Sequence, residues 1–245
     1  MPTAFRDLHR DGLFLMPNAW DIGSALQLEA MGFVSLATTS SGFAMSLGRP
    51  DRSVTRDELV AHVSSLTAVL TVPLNVDSEQ CYPDDPGGVA RTVRMLADAG
   101  AAGCSIEDFD PIRGTVRPLD EASERVAEAA AAAREVDLVL TARAENLLHG
   151  TGDLDEAIER LRSYRQAGAE VVFAPSLPDV DAMRRVVAET DAPVNVLRRM
   201  DGPTVDELAE AGVRRVSVGG ALARAAYAEA ERLARALIEG GPTRQ

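Results

Sequence analysis

Three acidic residues carry the clearest chemical signal in this sequence. Asp77 and Glu79 stand two apart where the apolar run 72-77 ends, and Glu107 follows the next such run at 103-106. Side chains two apart in extended backbone share a face, so this pair and an acid from a neighbouring strand can converge. Carboxylates about 4 Å apart repel by about 4 kcal/mol per pair at an effective dielectric near 20, and a bound cation removes that penalty. All-oxygen ligation with few protein ligands suits Mg2+, or Mn2+. By position alone the same acids also fit solvated loop residues or helix caps.

Other polar residues follow other apolar runs in the same way. They include Asn18, Trp20 and Asp21 after the first run, Thr39, Ser40, Ser41 and Gly42 after the second, and Arg143 and Glu145 after the fifth. Asn195 lies near the end of the seventh, and Ser217, Gly219 and Gly220 close the eighth. Asn195 could equally satisfy strand-end backbone, and Arg143 could pair with Glu145 or Glu107 as a structural bridge, since buried polar groups need partners in any case.

The elements that must position these residues are legible in the hydrophobic pattern. Apolar runs at about 12-17, 33-38, 72-77, 103-106, 138-142, 170-174, 193-197 and 214-218 alternate with segments of helical periodicity, the signature of βα units around a parallel sheet. Eight units predict a (β/α)8 barrel, an α/β fold forming a single domain over 1-245. In such a barrel the active site is built at the C-terminal ends of the strands, which is where the polar residues fall. Leu154, Ala157, Ile158, Leu161 and Tyr164 predict an amphipathic helix over 153-167. Thr55 with Glu58 and Thr204 with Glu207 fit capping boxes. Gly32, Gly100, Gly168 and Gly212 sit where helices should end. The last helix, 221-239, places Leu222, Ala226, Leu233 and Leu237 near one face and is expected at a subunit contact.

Composition narrows the function. With 25 basic and 38 acidic residues the net charge is -13, which disfavours nucleic acid and anionic membrane surfaces as partners. No segment approaches the about 20 apolar residues of a membrane span, nor does the N-terminus read as a signal peptide, so a cytoplasmic protein is expected. Two cysteines, Cys81 and Cys104, are too few for a disulfide framework or a thiolate zinc site. The sequence has no lysine, which excludes Schiff-base chemistry and a P-loop. His9 and His62 are expected on helix surfaces, and His149 at the rim beyond the fifth strand.

The segments PNAWDIGSA (17-25), TTSSGFAMSLGRPD (38-51), NVDSE (75-79), GCSIED (103-108), TARAENLLHG (141-150) and RRVSVGG (214-220) resemble, in order and placement, the isocitrate lyase and phosphoenolpyruvate mutase superfamily. The resemblance implies a magnesium-dependent barrel that makes or breaks C-C or P-C bonds beside a 2-oxo acid, through an enolate held by the metal and by N-H groups. It places Asp77, Glu79 and Glu107 at the metal, partly through water. Arg143, Ser41 and Asp51 fall at catalytic positions, and Trp20, Ser40, Gly42, Glu145 and Asn195 at substrate-binding positions. Arg143 suits a carboxylate or phosphonate. A small oxaloacetate-, malate- or phosphonopyruvate-like acid is the expected substrate of a lyase or hydrolase; a phosphonomutase, or a binding barrel without turnover, is the alternative. The family's habit of exchanging its last helix implies a homo-oligomer, a dimer or tetramer.

Two departures stand against this background. Superfamily lyases carry lysines and a cysteine after the fourth strand, whereas this chain reads EDFDPIRGTVRP, with Arg113 and Arg117 the only cations there. A Gly-Tyr-Gly turn common in the family is replaced by Cys81-Tyr82-Pro83. Neighbouring carboxylates raise a thiol's pKa, so Cys81 is expected to be a substituted turn residue, and Cys104 a core residue.

Overall fold

A computed structural model describes residues 2–240 of the chain. Its sheet strands are β1 (Phe14–Leu15), β2 (Asn18–Ala19), β3 (Leu36–Thr38), β4 (Leu74–Asp77) and β5 (Gly103–Glu107), followed, after a small ribbon of β6 (Phe109–Asp110) and β7 (Thr115–Val116), by β8 (Val139–Arg143), β9 (Val171–Phe173), β10 (Val194–Leu197) and β11 (Arg215–Ser217). The helices are α1 (Pro2–Asp7), α2 (Ile22–Ala30), α3 (Ser40–Ser46), α4 (Arg56–Thr67), α5 (Gly88–Asp98), α6 (Leu119–Glu135), α7 (Asn146–His149), α8 (Leu154–Ala167), α9 (Val180–Thr190), α10 (Val205–Glu210) and α11 (Ala221–Ile238).

All pairings of the large sheet are parallel, in the order β1-β11-β10-β9-β8-β5-β4-β3-β2. The two ends of that order belong to one short segment, so the sheet closes on itself as the (β/α)8 barrel the pattern predicts. Pro17 divides this first strand because it has no N–H to give the ladder. Before it, Met16 N donates to Val216 O at 2.8 Å; after it, Ala37 N donates to Pro17 O at 2.9 Å. Asn18 pins the seam: its Nδ2 donates to Thr38 O at 2.7 Å, and its Oδ1 accepts from the amides of Val218 (2.9 Å) and Gly219 (2.8 Å).

Strands covered on both faces read as continuous apolar runs, and β5 is buried at every position. The outer layer follows the expected signals. Thr55 with Glu58 and Thr204 with Glu207 form capping boxes, Asp153 caps α8, and all four helix-ending glycines have positive φ. Ala129, Ala130, Ala132 and Ala133 are buried on α6, where small side chains permit close packing.

The histidine expectation is corrected. His9 and His62 are both buried. His9 lies between Phe5 and Phe14 under the barrel, each ring edge-on at about 5 Å, because α1 plugs the N-terminal end. His62 stacks on Phe43 with centroids 3.7 Å apart, on the inner face of α4. His62 shares that face with Leu59, Val63 and Leu66, so helical spacing itself marks it as inward.

Only Ala223 of α11 is buried, while Leu237 and Ile238 are 69% and 87% exposed. Among the described residues no helix is long and apolar enough to cross a membrane.

Replacing Asn18 by Ala leaves two amides and a carbonyl at the seam without their partner. Unsatisfied buried groups cost about 1–3 kcal/mol each, so Asn18→Ala is expected to lower the urea unfolding free energy by about 3 kcal/mol. A loss under about 1 kcal/mol would mean that backbone pairing alone closes the barrel.

Candidate active site

At the C-terminal mouth a cavity of about 240 Å³ runs from Asp51 and Ser41 at the rim, past Asp77 and Arg143, down to Asn195 and Arg215. Asp77 ends β4, where its amide donates to Thr38 Oγ1 at 2.9 Å. Its Oδ2 accepts from both the amide and the hydroxyl of Ser40, each at 3.0 Å. Its Oδ1 is buried without a hydrogen bond, and the Nη1 of Arg143 stands 3.7 Å away. Ser40 is thereby committed to holding Asp77. Ser41 faces the cavity, with its Oγ 3.1 Å from Thr39 Oγ1.

Gly42 has another job than the one expected. Its amide donates to Thr39 Oγ1, which caps α3, at 3.3 Å. A Cβ there would lie 3.0 Å from the Trp20 Cβ and 3.2 Å from the Ala223 Cβ. Gly42 and Trp20 therefore form a close contact beneath the last helix, and neither lines the cavity.

Glu79 is near Asp77 for a different reason than a shared strand face. Its φ is +50°, so the chain has already left extended geometry. Cys81 (φ +59°) and Tyr82 (φ +47°) are also left-handed, in a turn held by Cys81 N donating to Ser78 O at 2.8 Å. Left-handed backbone costs a non-glycine residue about 1–2 kcal/mol, so this turn is strained beside the acids. Glu107 N donates to Glu79 O at 2.9 Å and ties the turn to β5.

The acids are buried and poorly solvated. Burial, with Asp77 and Glu107 adding repulsion, pushes Glu79 up to about 8. Burial likewise raises Glu107, against the pull of Arg143 and Arg52. Glu145, fully buried, is also raised by burial against Arg143. Burial alone would weaken the charge on Arg143, but Glu145, Glu107 and Asp77 outweigh it and hold the guanidinium protonated. Arg143 Nε donates to Glu145 Oε1, while its Nη1 lies 3.4 Å from Glu107 Oε2.

Arg52 was not singled out in the sequence, yet it reaches the same acids. Its Nη2 and Nε lie 2.9 and 3.3 Å from Glu107 Oε1, and Nη2 lies 3.6 Å from Glu145 Oε2. The guanidinium sits 4.4 Å from the Phe109 ring centroid, and His149 stacks on that ring at 3.9 Å. The available signal was charge: several acids gathered at one barrel end require cations, and a lysine-free chain must supply arginines. Asp108, which closes the GCSIED segment, fixes the end of β8 by accepting from Glu145 N (2.8 Å), Tyr164 Oη (2.6 Å) and Arg160 Nη1 (3.2 Å).

Among the described residues no three His, Cys, Asp or Glu side chains converge as a ready metal cage. Arg52 and Arg143 hold Glu107, and Glu79 and Glu107 do not line the cavity. The donor set nonetheless fits a hard cation. Asp77 offers a buried carboxylate oxygen with no hydrogen bond, Glu79 and Glu107 lie close enough to repel it, and a cation held by Asp77 would relieve that repulsion.

Asn195 lines the cavity but is committed elsewhere. Its Nδ2 donates to Ser217 Oγ at 3.0 Å and its Oδ1 accepts from Arg215 Nε at 2.9 Å. Arg215 is fully buried, and Thr141 Oγ1 (2.8 Å) and His9 Nε2 (3.2 Å) take its other contacts. Burial lowers Arg215 to about 9, which leaves a cation under the cavity floor. With Arg143 and exposed Arg224, three arginines face this space.

A family profile described as phosphoenolpyruvate phosphomutase matches residues 5–238. The chain belongs to that family. Its membership places it in the phosphoenolpyruvate mutase and isocitrate lyase superfamily. A putative lyase/mutase from Burkholderia cenocepacia superimposes with a TM-score of 0.91 at 46% identity, over 96% of this chain and 87% of that one. An uncharacterised protein of Mycobacterium tuberculosis is 35% identical over 97% of this chain and 90% of its own length. The 2-methylisocitrate lyase of Escherichia coli is 32% identical over 77% of this chain and 68% of its own.

In this phosphomutase-family chain the segment after Glu107 forms the β6-β7 ribbon. Arg113 pairs with Glu121 at 3.0 Å, and Arg117 with Asp110 at 3.0 Å and Gln80 at 2.7 Å. Neither lines the cavity. Cys81 and Cys104 are buried away from it, Cys81 Sγ 3.2 Å from Ser78 Oγ.

The raised carboxyls give stability a definite pH slope. A folded pKa above the ordinary 4.5 means that the folded chain keeps protons the unfolded chain has released. Burial lowers His9 to about 3 and His62 to about 4, which acts in the opposite sense below the ordinary histidine value of 6.5. In chelator the urea midpoint should therefore fall as pH rises from about 7 to 8. Glu79→Gln should flatten that fall, and a midpoint rising over the same range would contradict the burial of these acids.

Proposed function

We propose that the protein is a divalent-metal-dependent lyase or hydrolase that cleaves a C-C or P-C bond of a small 2-oxo acid, of oxaloacetate, malate or phosphonopyruvate type. The observation that carries this reading is the Asp77 Oδ1, which is buried at the cavity wall beside Arg143 and accepts no hydrogen bond. Asp77 would hold the cation, Mg2+ or Mn2+, with Glu79 and Glu107 contributing through water. When bound, the cation draws electron density from the 2-oxo group, so that the electron pair of the breaking bond is accepted as an enolate.

The chain's own residues do the rest. Ser40 fixes Asp77 through two hydrogen bonds. Arg143, anchored by Glu145, presents its remaining guanidinium N–H groups to a carboxylate or phosphonate, and Ser41 offers a hydroxyl to the oxo acid end. Arg215 beneath and Arg224 at the rim make the cavity favourable for an anion despite the protein's net charge of -13. The ion-paired ribbon offers the cavity neither a cation nor a thiol, which favours simple cleavage over mutase or tricarboxylate lyase chemistry.

A homo-oligomer belongs to the same proposal. The exposed apolar end of α11, with Leu237 and Ile238, would be covered by a second copy. Light scattering on a chain ending at Gly220 should then show a smaller or aggregated species.

The reaction class is tested by incubating the protein with Mg2+ and a panel of 2-oxo acids and following pyruvate by NMR. Removing one preorganised contact to developing charge costs about 3–4 kcal/mol, or about 100- to 1000-fold in rate. Arg143→Ala should lose that much, and Arg143→Lys should recover little, because a point charge cannot replace the planar fork. Cys81→Ser should stay within about tenfold of wild type; if it alone abolishes turnover with fold and metal binding intact, the mechanism is wrong. In calorimetry Asp77→Ala should lose Mg2+ binding, and unchanged affinity in both Asp77→Ala and Glu107→Ala would refute the metal site.

A further inference from the structure

Arg52 projects from a compact loop at the barrel mouth. Ser53 Oγ donates to Pro50 O at 2.6 Å, Arg52 N donates to Asp51 Oδ1 at 3.0 Å, and Arg52 itself is left-handed at φ +62°. Strained backbone at a non-glycine residue persists where the surroundings determine it and clusters at working sites. Here it points Asp51 at the cavity rim and Arg52 at the acids. The Arg52 side chain is 25% exposed, whereas Glu107 beneath it is 3% exposed. The cation has a path to solvent and its partner has none.

We infer that Arg52 is a tethered counter-cation, which holds Glu107 while the metal is absent and competes with the metal for that carboxylate. The inference rests on the metal reading proposed above. Glu107 Oε1 takes both Arg52 contacts, at 2.9 and 3.3 Å, and Glu107 Oε2 faces Arg143 at 3.4 Å. Both Glu107 oxygens thus already face a guanidinium. For Glu107 to serve a metal, even through water, the Arg52 contact must loosen. Phe109 supplies the place to go: a guanidinium 4.4 Å above its ring can slide outward and keep cation–π contact. Arg113 and Arg117 are consumed by Glu121, Asp110 and Gln80, so Arg52 is the loop cation that reaches these acids.

Competition has a thermodynamic sign that a merely structural arginine lacks. A group that stabilises the metal-free state and yields on binding weakens the metal's apparent affinity, and its removal strengthens it. The test is calorimetric titration of the full chain with MgCl2 and MnCl2, alongside thermal unfolding in chelator and in saturating Mg2+, for wild type, Arg52→Met and Arg52→Lys. Arg52→Met should bind Mg2+ about tenfold more tightly than wild type, unfold at lower temperature in chelator, and gain more from added Mg2+. Arg52→Lys, which keeps a charge, should lie between the two.

Unchanged or weaker Mg2+ affinity in folded Arg52→Met would overturn the inference. Should Arg52→Met fail to fold without metal, the same comparison is made with Arg52→Gln, and affinity no tighter than wild type is again fatal. A wild-type protein that binds neither metal would sink the metal reading itself. Metal binding by wild type with no tightening in the variants would sink only the role of Arg52.

Discussion

Buried carboxylates at the barrel mouth impose the demand that the rest of the site answers. Glu79, Glu107 and Glu145 are each under a tenth exposed, and Asp77 stands beside them. Charge cannot be taken from water into such a place without a partner or a proton. Both answers are visible: Arg52 and Arg143 supply opposite charge, and burial pushes Glu79 and Glu107 toward the protonated form. The acids gather because β4, β5 and β8 are neighbours in register, Asp77 opposite Ser105 and Glu107 opposite Arg143.

That register depends in turn on ring closure. The barrel is sealed by one short segment whose halves pair with different strands on either side of Pro17, and Asn18 binds both neighbours through a single amide. The seam and the site lie at the same end, so the amides of Val218 and Gly219 are fixed by the residue that begins β2. Farther down, Arg215 links Asn195, Thr141 and His9, joining β11, β10, β8 and the α1 region across the barrel interior. A long side chain with several fixed donors spans that interior where aliphatic residues would pack as separate layers.

The fold was legible because its signals are local and repeated. Eight apolar runs, the Thr55 and Thr204 caps and the helix of 154–167 need only neighbours in sequence to be read. Asp77 and Arg143 were legible for the same reason, as polar residues where a buried strand ends. What failed depended on contacts between distant segments. The resemblance puts Gly42 at a substrate-binding position, yet its amide donates to the Thr39 cap of α3 and its missing side chain makes room for Trp20 and Ala223. The sequence leaves Asn195 open between a substrate position and a structural partner, and the arginine 20 residues later that takes its carbonyl oxygen is not visible there. Arg52 sits in an irregular loop, and nothing in its spacing reveals that its guanidinium lands 55 residues away on Glu107. Glu79 does stand near Asp77, but a left-handed turn rather than a shared strand face brings it there.

The absence of lysine gives this arrangement a consistent chemical character. A buried ammonium readily loses its proton and its charge with it, whereas a guanidinium keeps its charge across the working pH range and forms several directed hydrogen bonds at once. Arg143 uses that capacity to serve Glu145 while facing Glu107 and Asp77. The cations around the acids are therefore fixed and the carboxyls are the groups that change state, so proton uptake and cation binding become alternative ways of relieving one repulsion. A lysine in the place of Arg52 would add a second titrating partner and blur that alternative. Arginine at both positions leaves the carboxyl side to decide whether a proton, a guanidinium or a metal ion balances the site.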